Sequence, residues 1–134
     1  MSTHNKRTIF LIDDDDDDRM LLKGAIEEIM NVSVVEFLNG LDFVDWISGQ
    51  IVEPGSALIL LDMNMPKMNG IETIQALKSN PISDHLAVII ISTSASKELL
   101  DQAYQSGASG YLTKPDSSKG LAENAMVIRG FFEP

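Results

Sequence analysis

The sequence predicts an α/β domain built on a doubly wound, open parallel sheet of five strands. Three observations predict it. Short apolar runs recur along the chain at intervals that leave room for a helix between them. Two of the runs, Ala57–Leu61 and Ala87–Ile91, are apolar at every position, as expected of parallel strands covered on both faces. The β-α alternation repeats five times, which argues a doubly wound sheet.

Taken in order, the first strand is expected over Thr8–Ile12, ahead of the acidic run Asp13 to Asp18. A helix follows over Arg19–Met30, with Met20, Leu21, Ala25, Ile26 and Ile29 at helical spacing and Asp17 or Asp18 as its N-cap. Strand two is expected over Ser33–Phe37 and its helix over Leu41–Ser48, carrying Leu41, Phe43, Val44, Trp46 and Ile47. Strand three, Ala57–Leu61, precedes a helix over Gly70–Ser79 that Pro81 stops. Strand four, Ala87–Ile91, precedes a helix over Lys97–Gln105 with Gly107 as its C-terminal cap; Thr93 or Ser94 would cap its start. Strand five, Gly110–Leu112, leads into a last helix over Ser117–Phe132. That helix carries Met126, Val127 and Phe131 beyond its core stripe of Leu121, Ala125, Ile128 and Phe132. This is more apolar surface than one buried face needs, so part of it is expected to meet a partner or a second copy, unless a wide stripe is buried on the sheet.

The bulk composition narrows the chemistry. At 134 residues the chain closes one core, read as a single domain over 1–134 with its core at about 8–132. It has no cysteine and two histidines, which removes disulfides, thiolate chemistry and histidine-rich metal sites. A net charge of −10 opposes binding to nucleic acid. The longest apolar run, Leu86 to Ile91, is far too short to cross a membrane, and the polar N-terminus lacks the shape of a signal peptide. A cytoplasmic protein is expected.

The polar residues of interest share one address. Asp13 and Asp14 follow strand one, Asp62 follows strand three, Ser92 strand four and Lys114 strand five. In a parallel sheet these ends lie along one edge, and ligands bind there, where strand order reverses. In the order 2-1-3-4-5 the reversal falls between strands one and three, beside the carboxylates. Three carboxylates this close repel one another unless a cation joins them. An all-oxygen set suits a hard divalent ion, Mg²⁺ above all, which keeps positions for water and phosphate oxygens. A carboxylate such as Asp62 can then act as nucleophile toward a phosphoryl donor. The Lys114 ammonium and the Ser92 hydroxyl can meet the charge that arrives.

The stretches Ile12-Asp13-Asp14, Leu61-Asp62-Met63-Asn64-Met65-Pro66, Met68-Asn69-Gly70, Ile91-Ser92-Thr93-Ser94 and Tyr111-Leu112-Thr113-Lys114-Pro115 occur in that order. Ser92 lies 30 residues beyond Asp62, and Lys114 lies 52 beyond it. With this pattern the chain resembles the receiver domain of two-component response regulators, of the stand-alone chemotaxis type, over Thr8 to about Phe132. The resemblance implies a flavodoxin-like (β/α)5 fold and a phosphorelay switch. It implies Asp62 as phosphoacceptor, Asp14 as a direct Mg²⁺ ligand, Asp13 acting partly through water, and the Asn64 backbone carbonyl as a further ligand. Ser92 is then the switch hydroxyl, Tyr111 the switch aromatic and Lys114 the phosphate partner, with a cis bond before Pro115. Gly70 is expected to let the backbone turn into its helix.

The implied partners are a sensor histidine kinase or phosphotransfer protein and a downstream protein target. A homodimer through helix four, strand five and helix five is a further possibility within the family. No effector domain is expected, because 20 residues follow Lys114 and one helix uses most of them. The implied protein is a switch that can lose its own phosphoryl group, not an enzyme in the ordinary sense. Two other readings use the same residues. A phosphatase with an aspartate nucleophile needs a second aspartate two positions on, where this chain has Asn64. A receiver inert to phosphorylation ranks below the active switch, because every expected site residue is present. For Asp15 to Asp18 a solvated loop with a capping role is the better reading.

Overall fold

A computed structural model describes residues 7–94 and 96–132. The polar lead read at the N-terminus lies, up to Lys6, outside the described residues. The strands are β1 (Arg7–Ile12), β2 (Val32–Phe37), β3 (Ala57–Asp62), β4 (Ala87–Ser92) and β5 (Gly110–Thr113). The helices are α1 (Asp16–Ile29), α2 (Gly40–Ile47), α3 (Gly70–Lys78), α4 (Lys97–Ser106) and α5 (Ser118–Phe132). All strand pairings are parallel, in the order β2-β1-β3-β4-β5. The predicted sheet and its order are therefore the observed ones.

β3 is buried at all six positions, and β4 at all but its first. Alternate residues of these strands feed two separate cores, one on each face of the sheet. Ile59 and Leu61 join Phe43, Ile47, Ile74, Leu77 and Ala103 beneath α2, α3 and α4. Leu58 and Leu60 join Leu22, Ile26, Ala125, Ile128 and Phe132 beneath α1 and α5. Fully burying a side chain of this size contributes about 1.5–3 kcal/mol, so the central strands are where the fold is least negotiable.

Several expectations need correction. α1 begins at Asp16, a turn earlier than predicted, and its N-cap is Asp15, whose side chain accepts from the Asp18 backbone N–H at 2.9 Å. Three acids in the first turn suit the positive end of the helix, so Asp16 to Asp18 fold as helix rather than as loop, with Asp15 in the capping role. Its buried face is Arg19, Leu22 and Ile26, while Met20 and Leu21 are exposed. α4 is capped by Ser96, not by Thr93 or Ser94. The bond before Pro115 is trans, since no cis peptide occurs among the described residues. A prolyl bond favours trans slightly even when free.

Gly70 has a different reason from the one expected. It does not occupy the left-handed region; Lys67, at φ 69°, makes that turn. A Cβ on Gly70 would stand 2.9 Å from the Met63 Cα and 3.0 Å from the Asp62 carbonyl oxygen. The glycine is there for space. Gly107, at φ 113°, does cap α4 in the left-handed conformation as predicted. On α5, Met126, Val127 and Phe131 are exposed, so the stripe is not fully buried on the sheet.

Candidate functional site

The C-terminal ends of β1, β3, β4 and β5 bring the predicted residues together. Asp13 leaves β1 with its backbone N–H on the Phe37 carbonyl at 3.1 Å, and is buried, whereas Asp14 faces solvent. Asp62 is the last residue of β3 and Ser92 the last of β4, and both are buried. Lys114 follows β5, its N–H donating to the Ser92 carbonyl at 2.8 Å. Carboxylate oxygens of Asp13, Asp14 and Asp62 all lie within 4.8 Å of one another.

The backing of this cluster was not legible in the sequence. Arg19 is buried, donates to the Asp13 carbonyl at 2.6 Å and to Glu36 at 3.3 Å, and also pairs with Asp16. It ties the β1–α1 loop to the edge strand β2. Burial lowers the Arg19 guanidinium's pKa, but the contacts with Asp16 and Glu36 outweigh it and raise the value. The one available signal was a lone arginine closing an acidic run at the start of an apolar face.

Lys114 is shared three ways. Its Nζ lies 2.7 Å from an Asp18 oxygen, 3.1 Å from Asp13 and 3.4 Å from Asp62. Burial would lower its pKa, yet the hydrogen bond to Asp18 and the charges of Asp13 and Asp62 raise it, so it stays cationic. Burial also pushes the Asp62 carboxyl up to about 7, with the Asp13 charge adding to the shift. Lys114 and the Asn64 backbone N–H oppose it. A buried acid of this kind gains most from a cation that would offset its charge.

The donors are all oxygens, two of the three carboxylates are buried, and no histidine or thiol intrudes. That set fits a hard, oxygen-seeking divalent ion such as Mg²⁺.

On the far side of Asp62, the Ser92 Oγ accepts the Ser94 backbone N–H at 3.1 Å. Its own hydrogen is thereby left to donate elsewhere. Tyr111 donates its hydroxyl to the Ser94 carbonyl at 2.5 Å and packs against the α2–α3–α4 core. Ser92 and Tyr111 thus share Ser94, one through its N–H and the other through its carbonyl. On the near side, a cleft of about 480 Å³ opens past Lys114, walled by Asp13, Asp18, Leu21, Pro115 and Leu121.

Comparison with known proteins adds independent observations. Residues 9–125 match the model of the response regulator receiver domain. The chain is 30% identical over 115 residues to a probable chemotaxis protein CheY of Rhizobium etli, covering 86% of each. It is 36% identical over 115 residues to the nitrate/nitrite response regulator NarL of Escherichia coli, covering 85% of this chain but only 50% of NarL. The phosphorylated cyanobacterial phytochrome response regulator RcpA superposes with a TM-score of 0.83 at 25% identity, covering 96% of this chain and 95% of that one. The Mn²⁺-bound form of response regulator Rcp1 superposes with a TM-score of 0.80 at 26% identity, covering 94% of each.

Proposed function

The chain belongs to the response regulator receiver domain family, and from that membership we propose that Asp62 is its phosphoacceptor, served by Asp13, Asp14, Ser92 and Lys114. Receiver domains are phosphoacceptor switches of two-component signalling that work with histidine kinases and downstream targets, rather than enzymes in the ordinary sense. The observation that carries the site assignment is the placing of Lys114 3.4 Å from a buried Asp62 whose carboxylate also lies within 4.8 Å of those of Asp13 and Asp14.

In the transfer, an Asp62 carboxylate oxygen attacks phosphorus. The bond between phosphorus and the donor's nitrogen or oxygen breaks, and the leaving group keeps that electron pair and takes up a proton from solvent. Asp13, Asp14, Asp62 and the Asn64 carbonyl would hold a Mg²⁺, which when bound would supply charge neutralisation. Lys114 meets one phosphoryl oxygen and the Ser92 hydroxyl donates to another. Burial of Asp62 limits the access of water, whose attack returns the free carboxylate and phosphate. The manganese-bound and phosphorylated relatives support both parts of this reading.

Because Ser92 and Tyr111 share Ser94, a shift of the Ser92 hydroxyl toward the phosphoryl group loosens the acceptor that holds Tyr111. The face of α4, β5 and α5 then changes shape, a population shift toward the form that binds output partners. That face carries exposed Tyr104, Val127 and Phe131, the last lying over Gly110, and receives a target protein or a second copy of this chain.

Acetyl phosphate with Mg²⁺, followed by intact mass, tests the assignment. One phosphoryl adduct is expected, lost on chelation and in Asp62→Asn. An adduct that survives Asp62→Asn places the acceptor elsewhere. No adduct from a small donor or a kinase makes this an inert receiver.

A further inference from the structure

The Lys114 ammonium is shared among three carboxylates: it donates a hydrogen bond to Asp18 and forms ion pairs with Asp13 and Asp62. The shortest contact, 2.7 Å, goes to Asp18, and the longest, 3.4 Å, to Asp62. Asp18 lies in the first turn of α1, outside the Asp13, Asp14 and Asp62 cluster. Its side chain is 41% exposed, against 8% for Asp13 and 5% for Asp62.

We propose that Asp18 is a positioning residue that draws Lys114 away from Asp62 in the resting protein, and that the Asp18–Lys114 pair is the contact given up when the phosphoryl group arrives. The proposal rests on Asp62 being the acceptor. A phosphoryl group adds oxygens that compete for donors already in use, so one contact must go. Releasing Asp13 would give up an ion pair at a carboxylate that is only 8% exposed, where water cannot take the ammonium's place. Releasing Asp18 costs least, because water reaches its carboxylate already.

Removing the Asp18 charge therefore has two effects of opposite sign. Without Asp18 to win it back, the ammonium stays on the phosphoryl oxygens and lengthens the life of the phosphorylated form. The same ammonium moves onto Asp13 and Asp62 and competes with Mg²⁺ in the unphosphorylated form. A residue that merely supported the fold would not separate these readouts.

The experiment uses Asp18→Asn on the full chain, with Asp17→Asn, exposed in the same helical turn, as the charge control. Phosphoryl half-life is followed by intact mass at saturating Mg²⁺ after acetyl phosphate is removed, and Mg²⁺ affinity by calorimetry without a donor. Asp18→Asn is expected to lengthen the half-life about two- to fivefold, the range a partly exposed ion pair carries, and to weaken Mg²⁺ more than Asp17→Asn does. Asp18→Glu restores wild-type behaviour, and in a Lys114→Met background Asp18→Asn no longer changes the half-life. A shorter or unchanged half-life, an equal effect from Asp17→Asn, or an effect that persists without Lys114 overturns the proposal. Absence of any adduct on the wild-type chain instead removes the acceptor reading, and the proposal with it.

Discussion

The Tyr111 hydroxyl donates to the carbonyl of Ser94 at 2.5 Å, and this bond ties the last strand to the loop that leaves the Ser92 position. Tyr111→Phe keeps the ring and deletes the donor. The variant is expected to lose about 1 kcal/mol of stability in urea unfolding while still accepting a phosphoryl group from acetyl phosphate. If it no longer takes up phosphate, the ring's hydroxyl belongs to the acceptor site rather than to the relay.

The Asp62 carboxyl, raised by burial to about 7 from 3.8, gives a pH signature in the metal-free protein. Between those values the folded chain holds a proton that the unfolded chain has lost. Stability from this group therefore falls as pH rises from about 4 to about 7. Urea midpoints across that range should decline without metal, decline less with Mg²⁺ present, and lack this component in Asp62→Asn. At neutral pH, Asp62→Asn is expected to be the more stable metal-free protein by about 1–2 kcal/mol, since it removes a buried charge. An identical pH profile in wild type and Asp62→Asn counts against a perturbed acceptor.

Gly70→Ala probes the space beneath the Asp62 loop. The new methyl meets backbone of Met63 and Asp62, which cannot swing aside as a side chain could. A loss of about 1–3 kcal/mol is expected, with weaker Mg²⁺ binding because the Asp62 peptide must move. Calorimetric unfolding and metal titration check both; a stable variant with unchanged affinity shows the loop to be pliant.

Arg19→Leu leaves the Asp13 carbonyl and Glu36 without their guanidinium donor. We expect about 2–4 kcal/mol of destabilisation and reduced Mg²⁺ affinity, because the β1–α1 loop loses its brace. Preserved metal affinity would confine Arg19 to holding the fold.

The sheet and the gathering of Asp13, Asp14, Asp62 and Lys114 at one edge were legible because strand ends carry polar residues at fixed places and continuous apolar runs mark covered strands. Ala57–Leu61 and Ala87–Ile91 fall short of the observed strands by one residue each. The start of α1 was not legible, because six consecutive aspartates give no way to tell cap from first turn. Its buried face was misread for a related reason: Arg19 points inward, so the stripe starts at a charge that periodicity counts as polar. Asp18 looked like a capping residue, whereas its partner Lys114 lies 96 positions away and only the fold brings them together. Gly70 was singled out correctly but for freedom of rotation, where the structure shows crowding.

The sheet is also a partition. The cleft past Lys114 opens on the side of α1 and α5, while Tyr111 packs with α2, α3 and α4 on the other. A molecule seated in the cleft would meet α1 and α5, whereas the Tyr111 ring is held by the core beneath α2, α3 and α4, so the cleft and the ring answer to different halves of the hydrophobic core.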